Sequence, residues 1–206
     1  MSDSVQMKLT VSPRKITTFL LCVIGGVFAM TTFMGLFFLA MVVSGNFVLL
    51  GIGALGCLTG ALLGFVQKRA MAPSLPKDWI VGSAAAGAIG APISISVVFP
   101  LFYIYNNSLA IAIGGFLLGL ALGAGQFIVL RKRYANTWLW IPISAVALGA
   151  GYFISLPATI ALKLGFYPIF SPGWTAVGAI AGLIYGLITG IVALFAKLRE
   201  TTHSVN

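Results

Sequence analysis

Charged side chains are scarce in this chain, and acidic ones are the scarcest. Lys, Arg, Asp and Glu make up 7% of the 206 residues, with three acidic residues and one histidine in total, whereas 60% of the residues are hydrophobic. A soluble domain carries roughly 25% charged residues, because its surface must face water. The composition therefore excludes a soluble enzyme and predicts an integral membrane protein.

The few acidic residues and the histidine lie outside the apolar segments, at Asp3, Asp78, Glu200 and His203. A proton or cation path needs an ionisable group within the membrane, and intramembrane hydrolysis needs a nucleophile with a base or a bound metal. The sequence supplies none of these sets. We therefore predict that the protein is not an enzyme and that it has no catalytic residue, no metal site and no cofactor.

The two cysteines are also unsuited to metal or redox chemistry. Cys22 and Cys57 lie in apolar stretches without a partner at metal-ligand or redox-motif spacing. We interpret both as small buried hydrophobic residues.

Six uncharged apolar runs are long enough to cross a bilayer, which takes about 20 helical residues. They are free of the period-two alternation of a membrane barrel, so the predicted class is an all-α polytopic membrane protein in a single domain, 1–206. The predicted spans are about Ile16 to Val43, Phe47 to Gln67, Trp79 to Tyr105, Leu109 to Leu130, Trp138 to Leu162 and Trp174 to Ala196.

The basic residues lie in short clusters between the apolar runs, which is typical of topology signals and not of a nucleic-acid partner. With six spans, Lys163 alone falls on one side of the membrane. The positive-inside rule therefore predicts that both termini, tails 1–15 and 198–206, are cytoplasmic. In this topology the cytoplasmic side carries the other eleven basic residues, which are Lys8, Arg14, Lys15, Lys68, Arg69, Lys77, Arg131, Lys132, Arg133, Lys197 and Arg199.

A glycine pattern recurs three times, at offsets of 59 and 63 residues. Three residues after each triad stands a polar residue, Gln67, Gln126 or Thr189, and twelve residues after the two glutamines stand Trp79 and Trp138. We interpret the pattern as a parallel repeat of three helical hairpins, about 16–68, 79–131 and 138–197. The triads are Gly56, Gly60 and Gly64; Gly115, Gly119 and Gly123; and Gly178, Gly182 and Gly186.

Glycines spaced four apart form a smooth helix face that another backbone can approach closely. Two interpretations follow: the faces pack inside the chain, or they dock another membrane protein subunit or a second copy. Gln67 and Gln126 likewise either bond across helices or reach the headgroups. No ligand is predicted at any of these positions.

Prolines and one aromatic loop are the remaining irregular features. Prolines within spans three and five predict kinks that can line a cavity; they are Pro92, Pro100, Pro142 and Pro157. The loop from Lys163 to Gly173 contains Phe166, Tyr167 and Phe170. It is either an interfacial anchor or a lid over an external cavity.

The run Gly119-x3-Gly123-x2-Gln126-Phe127-x2-Leu130-Arg131, followed by Trp138, resembles the repeated unit of uncharacterised small multi-pass membrane proteins of bacteria, including cyanobacteria. The resemblance implies a bundle of repeated hairpins in a bacterial plasma membrane or internal membrane. It implies no activity.

Two functions fit these observations. The first is an accessory, assembly or scaffold subunit that acts through helix contacts in a larger membrane complex. The second is a small-solute permease or the substrate-capturing subunit of a vitamin-type importer, with a pocket between spans three and five. A pocket with convergent polar groups would favour the second function, and the polar candidates near it are Tyr103, Asn106, Asn107 and Tyr152.

Overall fold

The computed structural model describes residues 13–71, 75–104, 107–131, 137–165 and 172–195. These residues form six long helices and two short 3-10 turns, and no strand occurs among them. The helices are α1 (Pro13–Ser44), α2 (Val48–Met71), α3 (Trp79–Ile104), α4 (Asn107–Leu130), α5 (Trp140–Ala161) and α6 (Pro172–Phe195), and the 3-10 turns are Gly45–Phe47 and Thr137–Leu139.

All six helices are long and apolar enough to cross a membrane. The predicted all-α polytopic class is therefore confirmed, and the chain is an integral membrane protein. Large hydrophobic side chains such as Ile24, Phe65 and Ile128 are exposed on the outside of the bundle, where they would contact lipid. Cys57 is exposed as well. The prediction that both cysteines are buried is therefore confirmed for Cys22 and wrong for Cys57.

The helices form a closed ring. Each helix packs against its neighbours in the chain, and α1 packs against α6. The most extensive interfaces are α2 with α3, α4 with α5, and α6 with α1. These pairs differ from the predicted hairpins, because each joins the second helix of one hairpin to the first helix of the next.

Prolines and glycine fit the local backbone. Gly45 begins the turn after α1 with a φ of +49°, a conformation that glycine adopts without strain. Pro92, Pro100 and Pro157 lie inside helices. Pro142, which we predicted to kink span five, is the third residue of α5, where a helix tolerates proline because the first N–H groups have no partner in the helix.

Some sequence predictions fall outside the described residues. They concern Tyr105, Asn106, the aromatic loop residues Phe166, Tyr167 and Phe170, and most of the two tails. The cytoplasmic location of the termini stays a prediction. Below, the "basic end" is the end of the bundle that carries Lys68, Arg69, Lys77 and Arg131, and the "opposite end" carries Lys163.

Candidate functional site

The central glycine of each triad lies against the backbone of a neighbouring helix. A Cβ atom on Gly60 would overlap the carbonyl oxygen of Ser83, and one on Gly119 would overlap that of Ser144. Gly182 meets the carbonyl oxygen of Gly26 in the same way. Only a residue without a side chain allows these backbones to approach so closely.

The outer glycines of the triads repeat this register one turn to either side. All nine triad glycines contact another helix of the same chain, so none of these faces is open to a partner in the closed ring. The further contacts are Gly56 with Gly87, Gly115 with Leu148, Gly178 with Met30, Gly64 with Ile80, Gly123 with Ile141, and Gly186 with Val23.

The same register corrects one predicted equivalence. Gly64 contacts Ile80, which follows Trp79, and Gly123 contacts Ile141, which follows Trp140. The residue that corresponds to Trp79 is therefore Trp140 and not Trp138. Trp79 and Trp140 are both buried, and their ring centroids are 6.1 Å apart in an edge contact. Trp138 is 58% exposed. The connection before α5 is two residues longer than the one before α3, and its 3-10 turn places Trp138 outside the bundle.

The two predicted glutamines meet inside the bundle. The Gln126 side-chain amide donates to Oε1 of Gln67 at 2.9 Å and to Oγ of Ser83 at 3.1 Å. Nε1 of Trp140 donates to Oε1 of Gln126, and Nε2 of Gln67 donates to the Tyr185 hydroxyl at 3.4 Å. We call these five side chains, Gln67, Ser83, Gln126, Trp140 and Tyr185, the glutamine cluster. It connects α2, α3, α4, α5 and α6 near the basic end, so the glutamines bond across helices.

The polar residue that follows the third glycine triad makes a different hydrogen bond from the two glutamines. Thr189 is buried, but its hydroxyl donates to its own helix, at the carbonyl oxygen of Tyr185. Tyr185, one turn earlier, supplies the longer side chain that reaches Gln67. Cys22 precedes Val23 and occupies the position that Trp79 and Trp140 hold on α3 and α5. The sequence pattern identified Gln67 and Gln126 but missed Tyr185, because its position departs from the repeat.

Towards the opposite end, the helices line a cavity of about 320 Å³. Five helices contribute to its wall, and most of the side chains are aromatic or aliphatic. The wall consists of Phe33, Met34 and Phe37 of α1; Ser94, Ile95, Val98, Phe99 and Phe102 of α3; Ile111, Gly114 and Leu118 of α4; Tyr152 of α5; and Trp174 of α6.

Among the described residues, few polar side chains line this cavity, and none of them is ionised at neutral pH. Oγ of Ser94 donates to the carbonyl oxygen of Gly114 at 2.7 Å. The Tyr152 hydroxyl donates to Sδ of Met30 at 3.8 Å. A charged solute would lose its hydration here without replacement, which is costly. The cavity therefore suits a neutral, largely apolar molecule.

The predicted pocket between spans three and five is found only in part. The lining residues of α3 lie between Pro92 and Phe102, as expected for a segment with two prolines, but α5 contributes Tyr152 alone. Asn107 is exposed in the first turn of α4 and does not line the cavity. The contributions of α1 and α4 were not predicted, because their lining residues look like those of any apolar span.

Comparisons with known proteins return no match for this chain among protein-family models, curated proteins or solved structures. Within the described ranges, no group of three His, Cys, Asp or Glu side chains could hold a metal ion. The candidate site is therefore the apolar cavity, with the glutamine cluster beneath it.

Proposed function

We propose that this protein is a non-enzymatic membrane protein that captures a small, neutral, apolar molecule in its central cavity. The observation that carries the proposal is the cavity of about 320 Å³ with its aromatic and aliphatic wall. Binding sites for small molecules are concave and mostly apolar, with a few polar groups that orient the ligand. The proposal keeps the substrate-capturing function and replaces a polar solute by an apolar one.

The glycine faces favour this function over that of a docking subunit. A docking role through these faces requires glycines that a partner can reach, whereas all nine triad glycines lie against helices of the same chain. We propose that they belong to a threefold repeat of the pairs α2 with α3, α4 with α5, and α6 with α1. In this view the glycines fix the ring that surrounds the cavity.

The packing beneath the cavity favours capture over free passage. Leu118 lines the cavity, and Gln126 of the glutamine cluster lies two turns further along α4, about 12 Å at 1.5 Å per residue. Leu122 lies between them and is 1% exposed. A ligand in the cavity is thus separated from the basic end by packed and hydrogen-bonded side chains.

The test narrows the cavity and uses a lipid-facing control on the same helix. The probe is 1-bromooctane, a neutral molecule whose bromine quenches indole fluorescence, added to the protein in lipid nanodiscs. Trp174 in the cavity wall is the reporter, and a Trp174→Phe variant isolates its signal. We expect a saturable component of quenching in the unmodified protein.

Ile95→Phe, which narrows the cavity, should weaken this component. Ile93→Phe should retain it, because Ile93 lies two residues away and is 51% exposed on the outside of the bundle. Quenching that never saturates in the unmodified protein, or that saturates equally in Ile95→Phe, would contradict the proposed function.

A further inference from the structure

The Tyr152 ring is held in the cavity wall by a glycine of the second triad. Tyr152 is 2% exposed, and a Cβ atom on Gly115 would overlap its ring at Cδ2. The glycine of α4 thus provides the space in which the phenol ring of α5 lies. This contact fixes the ring independently of any ligand.

Among the residues that the structure describes, the Tyr152 hydroxyl has one partner, and it is a weak one. It donates to the thioether of Met30 at 3.8 Å, and a thioether sulfur is a poor acceptor compared with a carbonyl or hydroxyl oxygen. If the Tyr152 hydroxyl donated instead to an oxygen atom at about 2.7 Å, its hydrogen bond would be stronger. Ser94, a second polar side chain of the wall, already donates to a backbone carbonyl oxygen at 2.7 Å.

From this difference we infer that Tyr152 is the specificity-determining residue of the cavity and that the captured molecule is a neutral hydrocarbon bearing one carbonyl or hydroxyl oxygen. The oxygen accepts a hydrogen bond from the Tyr152 hydroxyl, and the remainder of the molecule contacts the apolar wall. The inference rests on the proposed function and deepens it.

The size and charge of the wall restrict the ligand further. A cavity of roughly 150 Å³ holds benzene in another protein, and the cavity here is about 320 Å³. It therefore accommodates one or two rings or a chain of similar volume. A phosphate or carboxylate would find no cationic side chain among the lining residues, so a lipid headgroup does not fit the site.

The test compares two neutral probes of similar length, 2-nonanone labelled with ¹³C at its carbonyl and 1-bromooctane. A hydrogen bond lowers the stretching frequency of the bound carbonyl, which infrared difference spectroscopy detects. Saturable quenching of Trp174 measures the affinity for 1-bromooctane, and competition against it measures that for 2-nonanone. We expect a shifted carbonyl band in the unmodified protein.

In Tyr152→Phe, the shifted band should disappear and the affinity for 2-nonanone should fall about fivefold, the size of one neutral hydrogen bond. The affinity for 1-bromooctane should not change. Ile93→Phe should keep the shifted band, because Ile93 does not line the cavity and is 51% exposed on the outside of the bundle.

The outcomes separate the two proposals. A shifted band that persists in Tyr152→Phe, or equal losses for both probes, would overturn the role of Tyr152 while the cavity remains a binding site. Saturable binding of 1-bromooctane without a shifted ketone band in the unmodified protein would do the same. If neither probe binds the unmodified protein saturably, the proposed function fails and the inference fails with it.

Discussion

The two ends of this bundle use the same six helices and differ in what occupies the space between them. Near the basic end, the interior is filled by large side chains, Gln67, Gln126, Tyr185, Trp79 and Trp140, most of them joined by hydrogen bonds. Near the opposite end, aromatic and aliphatic side chains surround a cavity. The half near the basic end is therefore a packed core with polar side chains, and the half near the opposite end contains an apolar cavity.

The glycine triads overlap the boundary between the two halves. On α4 the triad begins at Gly115, two turns inside the start of the helix at Asn107, and on α6 it begins at Gly178, below Trp174. Leu118 lies between Gly115 and Gly119 and lines the cavity, so the cavity and the first triad contacts share this turn of α4.

The largest expected effect comes from removing a contact on which both halves depend. Gly119→Ala would place a Cβ atom against the carbonyl oxygen of Ser144, and because backbone cannot yield as a side chain does, α4 and α5 must separate. We expect a loss of about 1–3 kcal/mol or more, as for other overpacked sites, measured by thermal unfolding in detergent.

The matched control for Gly119→Ala is Gly35→Ala on α1. A Cβ atom on Gly35 would meet only Oγ1 of Thr175, at an ordinary 4.0 Å, and alanine is the better helix former. This variant should keep or slightly raise the unfolding temperature. Equal destabilisation by the two substitutions would show that the triad contacts have no special role.

The second effect tests the packed half alone. Gln126→Leu removes the acceptor of the Trp140 indole and the donor to Gln67, leaving buried polar groups without partners, at about 1–3 kcal/mol. In Gln67→Leu/Gln126→Leu both glutamines become apolar, so the double variant should lose clearly less stability than the sum of the single losses. Strict additivity in this double-mutant cycle would argue against a coupled cluster.

The third effect compares the two halves by the same substitution, Leu to Phe, at two positions of α4 that lie one turn apart. Leu122→Phe adds volume to a side chain that is 1% exposed and has packed surroundings, so a loss of about 1–3 kcal/mol is expected. Leu118→Phe adds the same volume beside the cavity and should be nearly neutral in thermal unfolding. If Leu118→Phe were the more destabilising of the two, the cavity would not be open space.

The sequence predicts the helices better than the space between them. Span number and helix limits follow from uncharged length, and the close approach of Gly60, Gly119 and Gly182 to other helices follows from their spacing. The cavity does not, because it depends on where neighbouring helices diverge, and Phe33 or Ile111 carries no local signal of this. Tyr185 was missed because it lies one turn before Thr189, the position that the repeat marks.

The smallest expected effect concerns two equivalent tryptophans in the packed half. Trp140 donates its indole N–H to Gln126, whereas the indole N–H of Trp79 is buried without a hydrogen-bond partner among the described residues. Trp79→Phe and Trp140→Phe remove similar volumes, so their losses of stability should differ by the one hydrogen bond, about 1 kcal/mol, with Trp140→Phe the more destabilising. Trp138→Phe should stay within about 0.5 kcal/mol of the unmodified protein, because this side chain is exposed. Thermal unfolding of the three variants measures this order. A larger loss of stability for Trp138→Phe than for Trp140→Phe would contradict the assignment of Trp140 to the glutamine cluster. It would favour the predicted 59-residue equivalence of Trp79 with Trp138.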